Sequence, residues 1–335
     1  MALTVLFPAH YRRDDTGPEL DGLGDGVEAV FVRGFAEVTD AQWAAADGIV
    51  GPAPPAWAIE KAARCRIYAK PGVGYDDVDT AAWGARGIPV CNCPDYGTRE
   101  VADNAIALML TLSKGIAFHD ESLRADPKAN WRPALNPYGQ RLADQTFGVV
   151  GIGRIGTAAA LRAKAFDMDV VVYDPYQPNG VELALGVRRV DSLAELMAQS
   201  DIVSVHCPLN DETRNLIGRE AMAAARPNLI LVNTARGPIV DIDALHDALK
   251  ENRVLAAGLD VLPDEPANVE KPLIAAWLSH EPWLRHRLVI TPHSAFMTPQ
   301  SMRDIRAFSA RTAARYLRDG RLENCVNEKA LAGRR

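Results

Sequence analysis

Three glycines near the middle of the chain have the spacing of a phosphate-binding turn. They are Gly151, Gly153 and Gly156, within TFGVVGIGRIGTAAALRAKAFDMDVVVYDPY at 146–176. The apolar run before them predicts a strand, and the alanine-rich run after them predicts a helix. Gly151 permits the tight turn, Gly153 lets the backbone approach a pyrophosphate, and Gly156 lets helix and strand pack closely. The pattern predicts a dinucleotide site; the alternative is a purely structural strand–turn–helix.

An acidic residue follows at the distance typical of adenosine ribose recognition. Asp174 comes 18 residues after Gly156, at the end of a predicted strand. A carboxylate at this position accepts hydrogen bonds from ribose hydroxyls and repels a 2′-phosphate. The sequence therefore predicts NAD as the cofactor in preference to NADP.

Strands and helices alternate along the whole chain. From 145 onward, six strands are predicted, at FGVVG, DVVVYD, DIVSVHC, NLILVNT, VLAAGLD and RLVIT. Before residue 100, five more are predicted, at LTVLF, EAVFV, DGIV, CRIYA and IPVCN. Thr39 and Asp79 are predicted to cap helices between these earlier strands. This alternation predicts an α/β protein with two doubly wound parallel-sheet domains.

Two longer helices complete the predicted elements. The segment 98–115 predicts a helix that leaves the first domain and packs on the second or on a partner subunit, because apolar residues repeat at helical spacing. The repeating positions are Val101, Ala105, Met109 and Leu112. After about residue 295, SMRDIRAFSARTAARYLRDG predicts a final amphipathic helix with a solvated arginine face.

Composition limits the classes of function. The chain has 335 residues and a net charge of -6, which argues against nucleic acid as the main partner. Its longest apolar runs are too short to span a membrane, and its first residues predict a strand and not a signal peptide. The five cysteines form no CxxC pair and the seven histidines no metal-binding spacing, so we expect reduced thiols, no metal and a cytoplasmic location.

Several longer motifs resemble those of the D-isomer-specific 2-hydroxyacid dehydrogenase family. They cover most of the chain, in order: GVGYDDVD (72–79), REVADNAIALML (99–110), the glycine turn, HCPLNDETRNLI (206–217), NTARGPIVDIDAL (233–245), GLDVLPDEP (258–266) and TPHSAF (291–296). Within the family, EVADNAIALML, YDPY and the aromatic residue of HSAF look most like the branch of carboxy-terminal binding proteins and their bacterial relatives.

The resemblance implies a split domain organisation. Residues 1–100 would begin a flavodoxin-like substrate and catalytic domain, 101–294 would form an inserted Rossmann NAD-binding domain, and 295–335 would return to the first domain. The two crossings, near 98–104 and 293–298, would act as a hinge, with substrate between the domains. A homodimer packed through the cofactor domains is also implied.

The resemblance assigns the reaction chemistry to three side chains. Arg236 would bind the substrate carboxylate and polarise the ketone through its planar fork. His293 would serve as the acid and base, since imidazole titrates near neutral pH. Glu265 would contact His293 and favour its protonated form. Asp264 is the adjacent acid that could take this role instead.

Further site residues are implied in the same way. Backbone N–H groups of Val73 and Gly74 would bind the substrate carboxylate, the alternative being a plain strand-to-helix turn in GVGYD. Phe296 would form part of the substrate wall, the alternative being core packing. Asp260 would hold the nicotinamide carboxamide. The remaining residues implied to line the cofactor are Arg154, Ile155, His206, Cys207, Pro208, Thr234 and Ala235.

The sequence departs from the family pattern at two places, and two other functions are alternatives to a 2-hydroxyacid dehydrogenase. RPN replaces the usual glycine-rich turn before LILVNT, where Asn228 can adopt a left-handed backbone. The insertion at 267–287, with Trp277 and Trp283, leaves the identity of the 2-keto or 2-hydroxy acid open. A nucleotide-sensing binding protein is one alternative function, which intact Arg236, Glu265 and His293 disfavour. Formate or phosphite oxidation is the other; enzymes of that kind carry an amide in place of Glu265 or a lysine in place of Val73.

Overall fold

The computed structural model describes residues 3–10 and 15–332. Within these ranges the chain forms two compact units: one contains the described residues before 98 and after 296, and the other contains residues 98–296. The strands are β1 Leu3–Phe7, β2 Val27–Phe31, β3 Gly48–Val50, β4 Ile67–Ala69, β5 Val90–Cys91, β6 Thr146–Val150, β7 Asp169–Tyr173, β8 Arg188–Arg189, β9 Ile202–Val205, β10 Leu229–Asn233, β11 Val254–Leu259 and β12 Leu288–Ile290.

The helices alternate with these strands, as the sequence predicts. They are α1 Gly17–Leu23, α2 Asp40–Ala45, α3 Ala56–Lys61, α4 Thr80–Ala85, α5 Thr98–Ser113, α6 Ile116–Ala125, α7 Arg154–Lys164, α8 Val181–Leu185, α9 Leu193–Gln199, α10 Arg219–Ala224, α11 Ile242–Lys250, α12 Pro272–Leu278, α13 Pro299–Asp319 and α14 Glu328–Ala332. Thr39 and Asp79 cap α2 and α4 by accepting hydrogen bonds from the backbone N–H groups of Gln42 and Ala82.

The first unit contains a five-stranded parallel sheet in the order β2-β1-β3-β4-β5. This 2-1-3-4-5 order is that of flavodoxin-like sheets, as predicted. Residues that alternate along β1 pack on opposite faces: Val5 and Phe7 belong to the core beneath α1 and α13, and Leu6 to the core beneath α2, α3 and α4. Helices therefore cover both faces of this sheet.

The second unit contains a seven-stranded parallel sheet in the order β12-β11-β10-β9-β6-β7-β8. Counted within the unit, this is the 3-2-1-4-5-6 order of a Rossmann fold with one further strand at the far edge. Ile230 and Val232 of β10 face the core that contains α5 and α7, and Leu229 and Leu231 face the opposite core. The carboxyl ends of β6 and β9, where the strand order reverses, are therefore adjacent.

Two predicted features of the elements are corrected by the structure. The short strand β8 was not expected, because two arginines give no apolar signal; it pairs with β7 through the backbone. In addition, α13 is not the final helix, since α14 follows it.

The arginine face of α13 is also not simply solvated, as the sequence had suggested. Arg306 is largely buried and binds the buried carboxylate of Glu19 through two nitrogens, at 2.6 Å each. Arg318 donates to the carbonyl groups of Leu23 and Asp25. These partners come from α1 and the turn after it, which a helical periodicity cannot identify.

Helix α5 packs within its own unit against α7 and the sheet, as predicted, and its four repeating apolar residues are buried. Over the described ranges no single helix is long and apolar enough to cross a membrane. Helices α5 and α6, which are bent by 52° relative to each other, would together have the length and composition of a span.

Candidate functional site

The glycine turn lies between β6 and α7, at the point where the strand order reverses. Gly151 has φ +90°, a conformation that side chains rarely adopt, and its N–H donates to the carbonyl of Tyr173 at 2.9 Å. A Cβ on Gly156 would overlap with the carbonyl oxygen of Gly151. The two glycines thus have the structural roles that the spacing predicts: one makes the turn and the other allows close packing.

Gly153 differs from its neighbours because its surroundings are open. It is the residue before the first turn of α7, and a Cβ built on it would meet no described heavy atom within 4 Å. Its φ of -73° is ordinary, so the local backbone does not require glycine. The residue therefore leaves space at the positive end of an 11-residue helix, as a bound pyrophosphate requires.

Asp174 lies beside this turn, just beyond β7. One carboxylate oxygen accepts from the N–H of Ile152 and the other from the N–H of Tyr176, each at 2.9 Å. The side chain of Tyr176, in turn, donates to Glu212. The carboxylate of Asp174 is half-buried, with acceptor capacity beyond these two bonds, since each oxygen has two lone pairs.

Two polar side-chain atoms near the ends of β9 and β10 are buried. Nδ1 of His206 and Oγ1 of Thr234 are buried, with no hydrogen-bond partner within the described ranges. Nε2 of His206 contacts the Ser204 hydroxyl at 2.8 Å, and burial lowers the pKa of His206 to about 4, so the imidazole is neutral near pH 7. Buried polar atoms are normally satisfied. Together with the space at Gly153, these atoms fit a bound dinucleotide.

The Cys207 and Pro208 segment continues directly from β9. The backbone of Cys207 lies against Gly151, where it would collide with an added Cβ. Burial raises the pKa of the Cys207 thiol to about 12, so this thiol is protonated and unreactive. Pro208, Arg154 and Gly153 are exposed, and Ile155 is half-buried. Over the described ranges, no group of His, Cys, Asp or Glu side chains is arranged to hold a metal ion.

Arg236 follows β10 in a turn that is fixed by a buried amide. Asn233, which is fully buried, donates to the carbonyl of Arg236 at 2.9 Å and accepts from the N–H of Ala235 at 3.0 Å. Arg236 itself is half-buried, and its Nη1 donates to the carbonyl of Ala235. A Cβ on Gly237 would overlap with the backbone of Leu262. The Arg236 turn is therefore packed against the loop that leads to Glu265.

Glu265 and His293 are in direct contact. Oε2 of Glu265 lies 2.7 Å from Nδ1 of His293, and Oε1 accepts from the N–H of Leu262 at 3.2 Å. The two side chains are 42% and 39% exposed, so both are accessible to a ligand. The structure thus gives Glu265, and not Asp264, the contact with the imidazole. With Nδ1 held by the carboxylate, Nε2 is the nitrogen that can exchange a proton with a ligand.

The backbone of His293 is held in a left-handed conformation, with φ +50°. Its N–H donates to the carbonyls of Asp260 and Thr291. The buried carboxylate of Asp260 accepts from the hydroxyl of Thr291 at 2.5 Å and from the N–H groups of Ser294 at 3.0 Å and Ala295 at 2.9 Å. The contact of Asp260 with nicotinamide remains a prediction, but the carboxylate also fixes the loop that carries His293. The resemblance assigned Asp260 only to the nicotinamide carboxamide, so this second role was missed.

The remaining predicted substrate residues have less direct support. The ring of Phe296 packs edge-to-face on the His293 ring, with centroids 6.2 Å apart. Val73 and Gly74 are half-buried in the other compact unit, where Asn92 donates to the carbonyl of Val73 at 2.7 Å. Their contacts with a substrate remain predictions.

The insertion at 267–287 covers the core of the second unit. Trp277 and Trp283 are partly buried against that core, and Trp283 stacks edge-to-face with His246. Arg287 is buried and donates to four carbonyl groups. Asn228, in the turn before β10, has φ +68°, the left-handed conformation expected of it.

Comparison with protein families identifies the chain. Residues 106–295 match the model of the D-isomer specific 2-hydroxyacid dehydrogenase, NAD binding domain. A glyoxylate reductase of Korarchaeum cryptofilum is 35% identical over 276 residues, which are 82% of this chain and 79% of that protein. The chain belongs to the D-isomer-specific 2-hydroxyacid dehydrogenase family.

Other members of this family share the sequence or the fold. A D-3-phosphoglycerate dehydrogenase of Methanocaldococcus jannaschii is 37% identical over 270 residues, 80% of this chain; the matched part is 49% of that relative, so the chain spans about half its length. A D-lactate dehydrogenase from Aquifex aeolicus, complexed with NAD and lactic acid, superposes with a TM-score of 0.80 at 26% identity, covering 98% of each chain. An NADPH-dependent glyoxylate/hydroxypyruvate reductase from Sinorhizobium meliloti gives 0.83 at 28% identity, also covering 98% of each chain.

Proposed function

We propose that the protein is an NAD-dependent D-2-hydroxyacid dehydrogenase that reduces small 2-keto acids and oxidises the corresponding 2-hydroxy acids. The observation that carries this proposal is the 2.7 Å contact between Glu265 and His293, next to the packed turn that presents Arg236. A carboxylate-bound imidazole and a planar cation are what ketone reduction in a 2-keto acid needs from a protein.

In the proposed mechanism, Arg236 binds the substrate carboxylate and polarises the ketone with its guanidinium. NADH, when bound, supplies the hydride for the substrate carbon. His293 donates the proton from Nε2 to the ketone oxygen, and takes it back in the oxidation direction. Glu265 holds Nδ1 and stabilises the imidazolium until the proton is given up. These three side chains thus bind the substrate, orient the imidazole and move the proton.

We infer that the cofactor is NAD and not NADP. The acceptor geometry of Asp174 supports this, because a half-buried carboxylate beside Gly153 would repel a 2′-phosphate. Glu212, bonded to Tyr176, adds a second carboxylate near the same strand end. A similar reductase is NADPH-dependent, so the ratio of kcat/KM with NADH to that with NADPH tests this inference directly.

The substrate is a small 2-keto acid, and Phe296 contributes to the choice among such acids. Its ring packs against His293, so a side chain on the substrate carbon would approach this ring. We assign residues 101–294 to the NAD-binding domain and residues 1–100 with 295–335 to the substrate and catalytic domain.

We also propose that the protein is a cytoplasmic homodimer that pairs through its NAD-binding domains. The supporting feature is the segment 126–141, which forms neither helix nor strand and carries two large apolar side chains in solvent, Trp131 at 80% and Leu135 at 94% exposure. Asn136 fixes this segment to the end of α5 by donating to the carbonyls of Leu112 and Ser113. Fixed, exposed apolar groups of this kind are typical of interfaces.

The proposed function is tested by an NADH-oxidation screen over 2-keto acids of graded size and charge, including glyoxylate, hydroxypyruvate and pyruvate, repeated with NADPH. We expect turnover of at least one small 2-keto acid, a product of D configuration, and higher kcat/KM with NADH. Binding of NADH without turnover of any 2-keto acid would favour the nucleotide-sensing alternative and overturn the proposal.

A further inference from the structure

Two cysteines far apart in sequence face each other in the first unit. Cys91 ends the edge strand β5 and forms an antiparallel bridge with Cys325, which lies between α13 and α14. The N–H of Asn92 donates to the carbonyl of Asn324 at 3.1 Å, and the N–H of Val326 donates to the carbonyl of Val90 at 2.8 Å. The hydrogen bonds thus flank the cysteine pair on both sides.

This pattern defines a non-hydrogen-bonded pair of an antiparallel ladder. In such pairs the Cα atoms lie about 4.5 Å apart and the side chains are on the same face. A disulfide needs a Cα separation of about 4.4–6.8 Å. The Cys325 thiol donates to Oδ1 of Asn327 at 3.2 Å, which holds its sulfur beside β5. A bond between the sulfurs therefore requires only side-chain rotation and no movement of the backbone.

The tail segment that carries Cys325 is held in register by a buried side chain. Asn327 is 4% exposed; its Oδ1 accepts from the N–H of Val90 at 2.8 Å, and its Nδ2 donates to the carbonyl of Ile88 at 3.0 Å. Further along, Ala330 of α14 packs against Gly84 of α4, where a Cβ would overlap with it. Buried hydrogen bonds and close packing thus hold the tail in the position that brings the two cysteines together.

The two thiols differ in access and acidity. Cys91 is fully buried, whereas Cys325 is half-buried and reachable from solvent. Interaction with the Cys91 thiol lowers the pKa of Cys325 to about 7, although burial and Glu328 act in the opposite direction. The same contact, with burial and the charges of Glu323 and Glu328, raises the pKa of Cys91 well above its usual range. Cys325 is therefore the nucleophile of the pair.

The other three cysteines lack this combination. Burial raises the pKa values of Cys65 and Cys207 to about 12 and that of Cys93 to about 11. Cys93 lies two residues from Cys91, but its thiol interacts with Ser309 of α13. Cys93 is an internal control for the position of a disulfide, because one tryptic peptide contains both Cys91 and Cys93.

We propose that Cys325 and Cys91 form a hydroperoxide-reactive dithiol, in which Cys325 is the attacking and Cys91 the resolving thiol, and that their disulfide fastens the C-terminal tail to β5. The Cys325 thiolate attacks one peroxide oxygen, the O–O bond breaks, and the departing hydroxide takes up a proton, which leaves a sulfenic acid and water. Cys91 then loses its proton and attacks the Cys325 sulfur; the S–S bond forms, the S–O bond breaks and a second water leaves. Two electrons pass from the thiols to the peroxide.

The test uses the full-length reduced protein treated with hydrogen peroxide and then digested with trypsin without reductant. We expect the peptide LENCVNEK (322–329) to be joined to GIPVCNCPDYGTR (87–99), with fragmentation that places the bond on Cys91. The intact protein should lose about 2 Da, the mass of two hydrogens, and regain it with dithiothreitol. Because the readout is a mass, it is independent of the dehydrogenase activity proposed above.

Four variants separate this pair from the other thiols. Cys325→Ser should remove the cross-link, and Cys91→Ala should leave a Cys325 sulfenic acid that a dimedone probe captures. Cys93→Ala and Cys65→Ala should form the cross-link as the unaltered protein does. The proposal is overturned if peroxide takes Cys325 to the sulfinic acid without cross-linking, if the bond falls on Cys93, or if the folded protein remains fully reduced under excess peroxide.

Discussion

At the residue scale, the proposed carboxylate contact depends on the shape of the Arg236 side chain as well as on its charge. The guanidinium can bind two oxygens at once, whereas a lysine ammonium is a point charge without this fork. We expect Arg236→Lys to lower kcat/KM for a 2-keto acid by about a hundredfold or more, equivalent to about 3 kcal/mol. The matched control is Arg253→Lys, at an exposed arginine that pairs with Glu251. A loss below about fivefold would mean that Arg236 does not contact the substrate.

Cofactor preference is a second property of a single side chain. Asp174→Asn keeps an oxygen that can accept from the N–H of Ile152 and removes the charge that would repel a 2′-phosphate. We expect the ratio of kcat/KM with NADH to that with NADPH to fall, with the melting temperature little changed. Equal efficiency with both cofactors in the unaltered protein would contradict the role assigned to Asp174.

At the element scale, two glycines of the phosphate-binding pattern have different surroundings: Gly153 faces open space, whereas Gly156 packs against the carbonyl of Gly151. Gly153→Ala places a methyl group where a Cβ meets no described atom within 4 Å, so stability should be kept while the Kd for NADH rises about tenfold or more. Gly156→Ala overlaps with the Gly151 carbonyl and should lower the free energy of unfolding by about 1–3 kcal/mol. Thermal melts and NADH fluorescence titrations of both variants test this division; unchanged NADH affinity in Gly153→Ala would show that no phosphate approaches there.

Local signals explain why many elements could be predicted from the sequence. Thr39 and Asp79 cap their helices because a cap depends on residues within one turn of the chain. The two parallel sheets with helices on both faces follow from the alternation of apolar runs and helices, whereas the strand orders agree with the fold that the family resemblance implies. In contrast, β8 has no apolar pattern of its own, and the burial of Arg306 depends on Glu19, which lies 287 residues away. Such partners are set by tertiary packing, which local periodicity does not record.

At the scale of the whole molecule, the proposed homodimer gives a direct measurement. Sedimentation should give a mass of about twice 36.3 kDa for the unaltered protein. The double variant Trp131→Ser with Leu135→Ser should sediment as a monomer, because two exposed apolar anchors of the interface are lost. Leu183→Ser, at a 79% exposed position on α8, is the control and should remain dimeric. A monomeric unaltered protein would contradict the proposal.

Long-range contacts also limit what the sequence could establish about the site. The family resemblance placed Arg236, Glu265 and His293 in one reaction, but Glu265 and Asp264 are neighbours with the same chemistry. Only the folded loop shows that Glu265 reaches Nδ1 of His293. Likewise, five cysteines without a CxxC pair gave no sign that Cys91 and Cys325 are bridge partners, since 234 residues separate them in the chain.

The central claim is that the carboxylate of Glu265 supports His293 as the proton donor of ketone reduction, and it is tested most directly by pH profiles of kcat/KM in both directions, from about pH 5 to about pH 10. Glu265→Gln keeps the shape of the side chain and removes the charge that stabilises the imidazolium. The alkaline limb of reduction should therefore move to lower pH, and oxidation, which begins with neutral His293, should tolerate acid better. Asp264→Asn, the matched control, should leave both limbs in place. Unchanged limbs in Glu265→Gln, or a shift in Asp264→Asn instead, would contradict the account.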